Sequence, residues 1–286
     1  MARMAEPPYE RAEEVAPGVR RILAGNPSPF TFEGTETYLV GTAEIAVIDP
    51  GPDDPRHVDA ILAAVGGGRV SAILCTHTHR DHSPASRALA EATGAPIIGC
   101  APLAISDDGP RADAAFDFDY APDRVLKDGD TLEGEGWRLA AVATPGHTSN
   151  HLCFAFGDIL FTGDHVMGWS TTVIAPPDGD MADYMASLDR LLARDDRLYF
   201  PAHGPAVEKP RAHVRALITH RRMREKQILE RLGQGIGRIP AMVETMYRAV
   251  DPRLHPAAGR SVLAHLIDLE RRGLIGREGE EWTLRA

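Results

Sequence analysis

The sequence predicts an α/β fold: a layered αββα sandwich over residues 1–208, followed by a long helix and a winged-helix unit over residues 209–286. Three observations lead there. The first 200 residues hold two β-rich stretches, each carrying helices, and their hairpins are too frequent for a doubly wound sheet. Past Pro210 the texture changes to three helical patterns and a turn-rich end. Several β-type runs in the first part end in loops that carry histidine or aspartate, as when one sheet edge gathers a site.

The elements follow in order. Thr37–Val40 and Ile45–Asp49 flank Gly41-Thr42-Ala43-Glu44 as a hairpin. A helix over 56–65 is stopped by three glycines, Gly66 to Gly68. The apolar run Val70–Cys75 reads as a buried strand, and residues 84–92 as a helix begun by Pro84 and ended by Gly94. Residues 138–143, 152–156 and 159–162 are strands, the last two joined at Gly157-Asp158. A helix over 182–193 and a short strand over 198–201 complete the first part. The tail reads as helices over 211–232, 240–250 and 257–272, with Gly273 as a cap and a wing at Leu274-Ile275 and Trp282-Thr283-Leu284.

Composition narrows the function classes. The chain carries a net charge of −10, unevenly spread. Residues 1–204 hold 15 Lys and Arg against 31 Asp and Glu, and residues 205–286 hold 16 against 10. Such asymmetry fits two modules with different surfaces, and equally a helix with a solvated arginine face. Cys75, Cys100 and Cys153 form no Cys-x-x-Cys pair, which argues against a thiolate site or a disulfide framework. No signal-peptide core and no membrane-spanning run is evident, so a cytoplasmic protein is expected. Nothing in the sequence specifies an oligomeric state.

The sharpest motif is His77-Thr78-His79-Arg80-Asp81-His82, directly after the strand 70–75. Four metal-capable side chains in six residues cannot share one helix face, but they can point inward from a loop. Imidazole with carboxylate suits Zn²⁺, and also Mn²⁺ or Fe²⁺. A solvated histidine loop is the plain alternative, and it leaves the other motifs unexplained. Gly146-His147-Thr148-Ser149-Asn150-His151, Gly163-Asp164-His165 and Pro201-Ala202-His203-Gly204 each follow a strand in the same way.

These motifs, in this order, resemble the metallo-β-lactamase superfamily over residues 20–204. The resemblance implies one metal at His77, His79 and His147, a second at Asp81, His82 and His203, and Asp164 between them, with two Zn²⁺ per chain. It implies a zinc-dependent hydrolase using a metal-bridging hydroxide, with Asp81 and Asp164 as catalytic candidates. Asp49, in Ile48-Asp49-Pro50-Gly51, matches the family's supporting aspartate. Asp183–Leu188, Thr219–Leu229 and the tail resemble the β-lactamase-like protein 2 branch. That branch is associated with single-stranded RNA cleavage, and fungal relatives with thioesters on carrier proteins. Asp164 stands where antibiotic-hydrolysing members of the best-known class carry cysteine, which argues against a β-lactamase.

His151 is expected to support a ligand or orient substrate. His165 faces either the opening or the core, and the 166–180 stretch with Thr171 and Thr172 is a substrate-facing loop or a plain connector. His57, His213, His220, His255 and His265 lie outside the metal motifs and read as ordinary. Asp268 and Glu270 interrupt the basic face of the third tail helix, so a specific DNA reader is not expected. Three functions compete: a single-stranded RNA endonuclease, a small-molecule ester, thioester or lactone hydrolase, and a non-catalytic metal- or DNA-binding regulator. The acidic first part favours a broad hydrolase, because a polyanion would need attraction from Arg211, Arg215, Arg221, Arg222 and Arg224.

Overall fold

A computed structural model describes residues 7–103 and 116–285. Residues 1–6, on which part of the N-terminal reading rests, lie outside the described residues. The first sheet contains β1 (Ala12–Ala16), β2 (Val19–Leu23), β3 (Glu36–Val40), β4 (Glu44–Ile48), β5 (Arg69–Cys75), β6 (Ile97–Gly99) and β7 (Arg124–Val125), in that spatial order. It is antiparallel from β1 to β4 and parallel from β4 to β7. The parallel steps from β4 to β5 and from β5 to β6 are crossovers through α1 (Pro55–Val65) and α2 (Ala85–Thr93).

The second sheet has the order β12 (Leu198–Pro201), β11 (Ile159–Gly163), β10 (Leu152–Phe156), β9 (Trp137–Ala143) and β8 (Thr131–Gly134). Its neighbours are antiparallel except β11 with β12, which are joined through α3 (Met181–Leu192). Strand periodicity explains the layering. Leu152, Phe154, Ile159 and Phe161 turn toward the first sheet and share one core with Tyr38, Leu39, Ile73 and Leu74. The intervening Cys153 and Leu160 point the other way, onto Tyr184, Leu188 and Leu191 of α3.

The long helix α4 (Pro210–Gly233) belongs to two cores. Val214, Leu217 and Ile218 pack on the second sheet and α3. Farther along, Ile228 and Leu232 pack with α5 (Ile239–Met246), α6 (His255–Arg271) and the wing β13 (Ile275–Glu278) and β14 (Glu281–Leu284). The helix therefore couples the sandwich to the winged helix. All three cysteines are buried and unpaired, as small hydrophobes. Among the described residues, no helix is long and apolar enough to cross a membrane.

Some elements depart from the sequence reading. The strands β1 and β2 are rich in Glu and Arg because β1 lies at the sheet edge, where Arg21 pairs with Glu13 and Glu36. The helix expected over 240–250 stops at Met246. Arg224 donates to the Met246 carbonyl and lies over the Tyr247 ring, which satisfies that helix end from outside.

Candidate metal centre

The site forms where strand ends of both sheets meet. The chain leaves β5 into the His77–His82 loop, β9 into the 144–151 turn, β11 into Asp164 and β12 into His203. Main-chain bonds tie these ends together: Leu152 N donates to Thr76 O (2.8 Å), Ala202 N to Gly163 O (3.0 Å) and Glu36 N to Ala202 O (2.7 Å). Gly163 adopts φ +50°, and a Cβ there would lie 2.7 Å from His151 Nε2 and 2.8 Å from Thr76 Oγ1. Only glycine fits so close beneath the site.

Two groups of side chains result. His77, His79, His147 and Asp164 each offer a ligand atom within 4.8 Å of the others, and so do Asp81, His82 and His203. Asp164 lies between the groups: its Oδ2 is 3.7 Å from His147 Nε2 and its Oδ1 is 3.2 Å from His203 Nε2. All seven residues of the sequence motifs thus converge, from four separate loops.

The hydrogen bonds behind these rings determine which nitrogen is bare. His147 Nδ1 donates to Val173 O (2.7 Å) and His203 Nδ1 to Gly34 O (3.0 Å), so each ring in its neutral form turns a lone pair on Nε2 inward. His82 Nδ1 faces Asp49 Oδ2 at 3.0 Å with the same effect. Thr76 Oγ1 donates to Asp49 Oδ2 (2.8 Å) and therefore accepts from His77 Nδ1 (2.9 Å), which leaves His77 Nε2 bare. His77 Nε2 and His147 Nε2 then both converge on His79 Nδ1, at 2.9 and 3.1 Å. That nitrogen carries at most one proton, so two of the three lone pairs confront each other. His82 Nε2 is buried without a hydrogen-bond partner among the described residues. Such a group costs about 1–3 kcal/mol if left so. A divalent cation bound among these donors would relieve these contacts, so the donor set fits a metal ion.

Electrostatics agree. Burial, reinforced by His82 and His79, holds the His77 imidazole well below its ordinary range, in the neutral form that ligates. His203 behaves oppositely: burial opposes its charge, but Asp164 and Asp81 push it up to about 10. A metal-free protein therefore keeps His203 protonated at neutral pH, and a cation must displace that proton. Zinc uptake by metal-free protein is expected to release protons, and affinity to rise with pH up to about 10. Proton release into a weakly buffered indicator solution measures this, and pH-independent uptake would contradict it. Folding linkage has the opposite sign: the His203–carboxylate contribution to metal-free stability is complete below about pH 6.5 and is lost as pH rises through about 10.

Other expected residues find definite places. Asp49 accepts from Thr76 N and Thr76 Oγ1 (2.8 Å each) and faces His82, so it braces two loop residues at once. His151 is buried behind His77, with Nδ1 2.9 Å from Thr144 Oγ1, and so is positioned for support rather than substrate contact. His165 faces the core against Tyr184, not the opening. Thr172 donates to the Asp164 main-chain carbonyl, and Thr171 lines a cavity on the far side of that segment.

His57 is more than the ordinary histidine the sequence suggested. It bridges Glu10 Oε2 (2.6 Å) and Thr37 Oγ1 (2.8 Å), and Thr37 donates to Asp49 O (2.6 Å), so a chain of contacts reaches the centre from the first strands. Asp117 is a second support with no motif: Asp117 N donates to Thr78 O, and its carboxylate accepts from Ser83 and Arg87. Such partners depend on residues far apart in sequence, and no spacing reveals them.

The family model for the metallo-β-lactamase superfamily matches residues 31–203, and that for the β-lactamase-associated winged helix domain matches residues 239–282. A β-lactamase-like protein 2 homologue of Drosophila melanogaster is 33% identical over 269 residues, covering 90% of this chain and 89% of its own. An atrochrysone carboxyl ACP thioesterase of Aspergillus fumigatus is 33% identical over 235 residues, covering 78% of this chain and 67% of its own. Among solved structures, a β-lactamase domain protein from Burkholderia ambifaria superposes with a TM-score of 0.81 at 22% identity, covering 98% of this chain and 95% of its own. With its sandwich, its gathered histidines and aspartates and its winged-helix tail, the chain belongs to the metallo-β-lactamase superfamily of hydrolases.

Proposed function

We propose that the chain is a binuclear metal-dependent hydrolase of small esters or thioesters. The observation that carries this reading is the pair of ligand groups sharing Asp164, with bare nitrogens aimed inward. His77, His79 and His147 would hold one ion, Asp81, His82 and His203 the other, and Asp164 would serve both. Bound divalent ions, zinc by donor type, supply Lewis acidity toward a scissile carbonyl and a water ionised near neutral pH. The Val173 and Gly34 carbonyls and the Asp49 carboxylate hold His147, His203 and His82 in their ligating tautomers. Asp81 keeps 27% of its side chain exposed, the most of the pairing carboxylates here. Although burial opposes it, His82 and His203 hold it ionised, so it would take up the proton that the attacking water loses and pass it to the leaving group.

The substrate preference is supported by two findings. The thioesterase relative acts, by its name, on an acyl carrier protein thioester. The basic tail, which an RNA substrate would need, is partly occupied: Arg211 pairs with Asp195, Arg238 with Glu280, Arg271 with Asp180 and Arg272 with Glu225. Arg221 is buried, which removes it from any surface stripe. The likeness to β-lactamase-like protein 2 keeps single-stranded RNA as the competing substrate.

A parallel turnover screen decides between them. Labelled single-stranded RNA and a panel of acyl thioesters and aryl esters are each incubated with zinc- or manganese-loaded protein across a salt series. Thioester or ester hydrolysis that is abolished by chelation and insensitive to salt is the expected result. RNA cleavage falling steeply with salt, with no ester turnover, would replace this reading by the nuclease.

A further inference from the structure

Behind the candidate metal centre, the inner face of α4 carries two arginines, Arg221 and Arg224, that make no ion pair among the described residues. Arg221 is 3% exposed. One of its terminal nitrogens donates to Thr172 O, and its guanidinium lies 5.1 Å from the Tyr184 ring centroid, but its Nε has no partner among the described residues. Arg224, one turn on, bonds Gln227 and the Met246 carbonyl through Nη1 and likewise leaves Nε unused. Among the described residues the ion pairs of α4 are Arg211–Asp195, Lys226–Glu230 and Glu225–Arg272, and none includes these two arginines. His220 Nδ1 and Trp169 Nε1 are also buried without hydrogen-bond partners. Burial and then the charge of Arg221 push His220 down to about 4 and His265 to about 3, so the local field is positive.

These groups surround a cavity of about 290 Å³ between the sandwich and the winged helix. Residues 169–173 form one wall, His220, Arg221 and Arg224 another, and Phe30, Tyr247 and Leu254 are among its apolar lining. Among the described residues, no aspartate or glutamate lines it. Taking the Arg221 guanidinium out of water is costly unless an anion meets it, and the half-buried Arg224 beside it, over the Tyr247 ring, adds a second charge. Arginine presents a fork of donors suited to carboxylate or phosphate oxygens, and here the Nε of each is unused. Convergent polar donors in a largely apolar hollow are the usual form of a small-molecule site.

We propose that this cavity binds an organic anion, a carboxylate or phosphate monoester carrying an apolar body, with the anion on Arg221 and Arg224 and the body against Phe30 and Leu254. The wall it shares with the metal centre is one segment thick: Thr172 bonds the Asp164 carbonyl, Val173 O accepts from His147, and Arg221 grips the same Thr172. The anion is thus either the remote end of the hydrolysed substrate or a separate ligand. Binding itself needs neither metal nor turnover, so its test stands apart from the hydrolase reading.

Isothermal titration calorimetry of the intact protein with octanoate and octyl phosphate tests it, with octanol and octylamine as neutral and cationic controls. At least one anion is expected to bind saturably and both controls to fail. Arg224→Gln should weaken binding about tenfold or more, the effect of losing a charged hydrogen bond. Ala258→Phe should fill the hollow and abolish binding, while Arg222→Gln, on the outer face, should leave it unchanged. Thermal melts of each variant verify folding, and either pocket variant alone suffices. Equal binding of octanol and octanoate, absence of binding by both anions, or anion binding that survives both pocket variants would overturn the proposal. If turnover is present, competitive inhibition by the bound anion identifies the site as the substrate's anionic end. Inhibition that substrate does not relieve, or no inhibition, identifies a separate ligand.

Discussion

Asp164→Asn is expected to cost the protein at least one of the two metal ions we propose it binds and to lower the proposed ester or thioester turnover by about 10²–10³-fold or more. Asn keeps the volume and the main chain, including the carbonyl that Thr172 bonds, so the fold should persist. What it removes is the one carboxylate among the described residues that faces both groups, with Oδ1 at His203 and Oδ2 at His147. The remaining donors are then two separate sets, His77, His79 and His147 on one side and Asp81, His82 and His203 on the other. In the second set the negative charge is halved, and Asp81 is partly exposed. Elemental analysis of never-chelated protein, beside steady-state rates, measures both effects. Two ions per chain with turnover within a few-fold of the parent would mean that Asp164 does not join the groups functionally.

Removing the tail should be as damaging, although every proposed ligand lies before it. A chain ending at Glu208 loses Val214, Leu217 and Ile218, which cover Leu160, Tyr184, Leu188 and Tyr199. Burial of three such side chains contributes roughly 4–9 kcal/mol, comparable with the whole stability of an ordinary domain. The tail also holds the segment beside the metal centre: Arg221 donates to Thr172 O, Ser261 Oγ accepts from Ile174 N (3.4 Å), and His213 donates to Met167 O (2.9 Å). We therefore expect the shortened chain to lose its cooperative thermal transition, and Leu217→Ala in the full chain to cost about 2–5 kcal/mol. The boundary we propose, 1–208 and 209–286, is thus one of architecture and not of independent folding. A shortened chain melting cooperatively near the parent temperature would refute this.

Much of the centre was legible because its ligands come in short motifs. His77, His79, Asp81 and His82 sit within six residues, and each later ligand follows a strand that the hydrophobic pattern reveals. The strands Leu152–Phe156 and Leu198–Pro201 appear where alternation or apolar runs place them. The edge strand β1 was not legible, since an exposed strand of AEEVA carries no burial pattern to read. The inner and outer faces of α4 were also hidden. Its apolar stripe is visible in sequence, but arginines read alike whether they face solvent, as Arg222 does, or the interior, as Arg221 does.

Strand periodicity and ligand spacing are local properties, so the layered architecture, its tail and the seven candidate ligands could be read along the chain, and the motifs in their order carried the family resemblance. Tertiary structure alone decided which imidazole nitrogen faces inward, for that depends on the Val173 and Gly34 carbonyls and on Asp49, all contributed from distant segments. It also decided that His57 and Asp117 support the site and that Arg221 and Arg224 flank a cavity. Hydrogen bonds and buried charge are short-range in space and indifferent to separation along the chain, so they become readable only once the chain has brought their partners together.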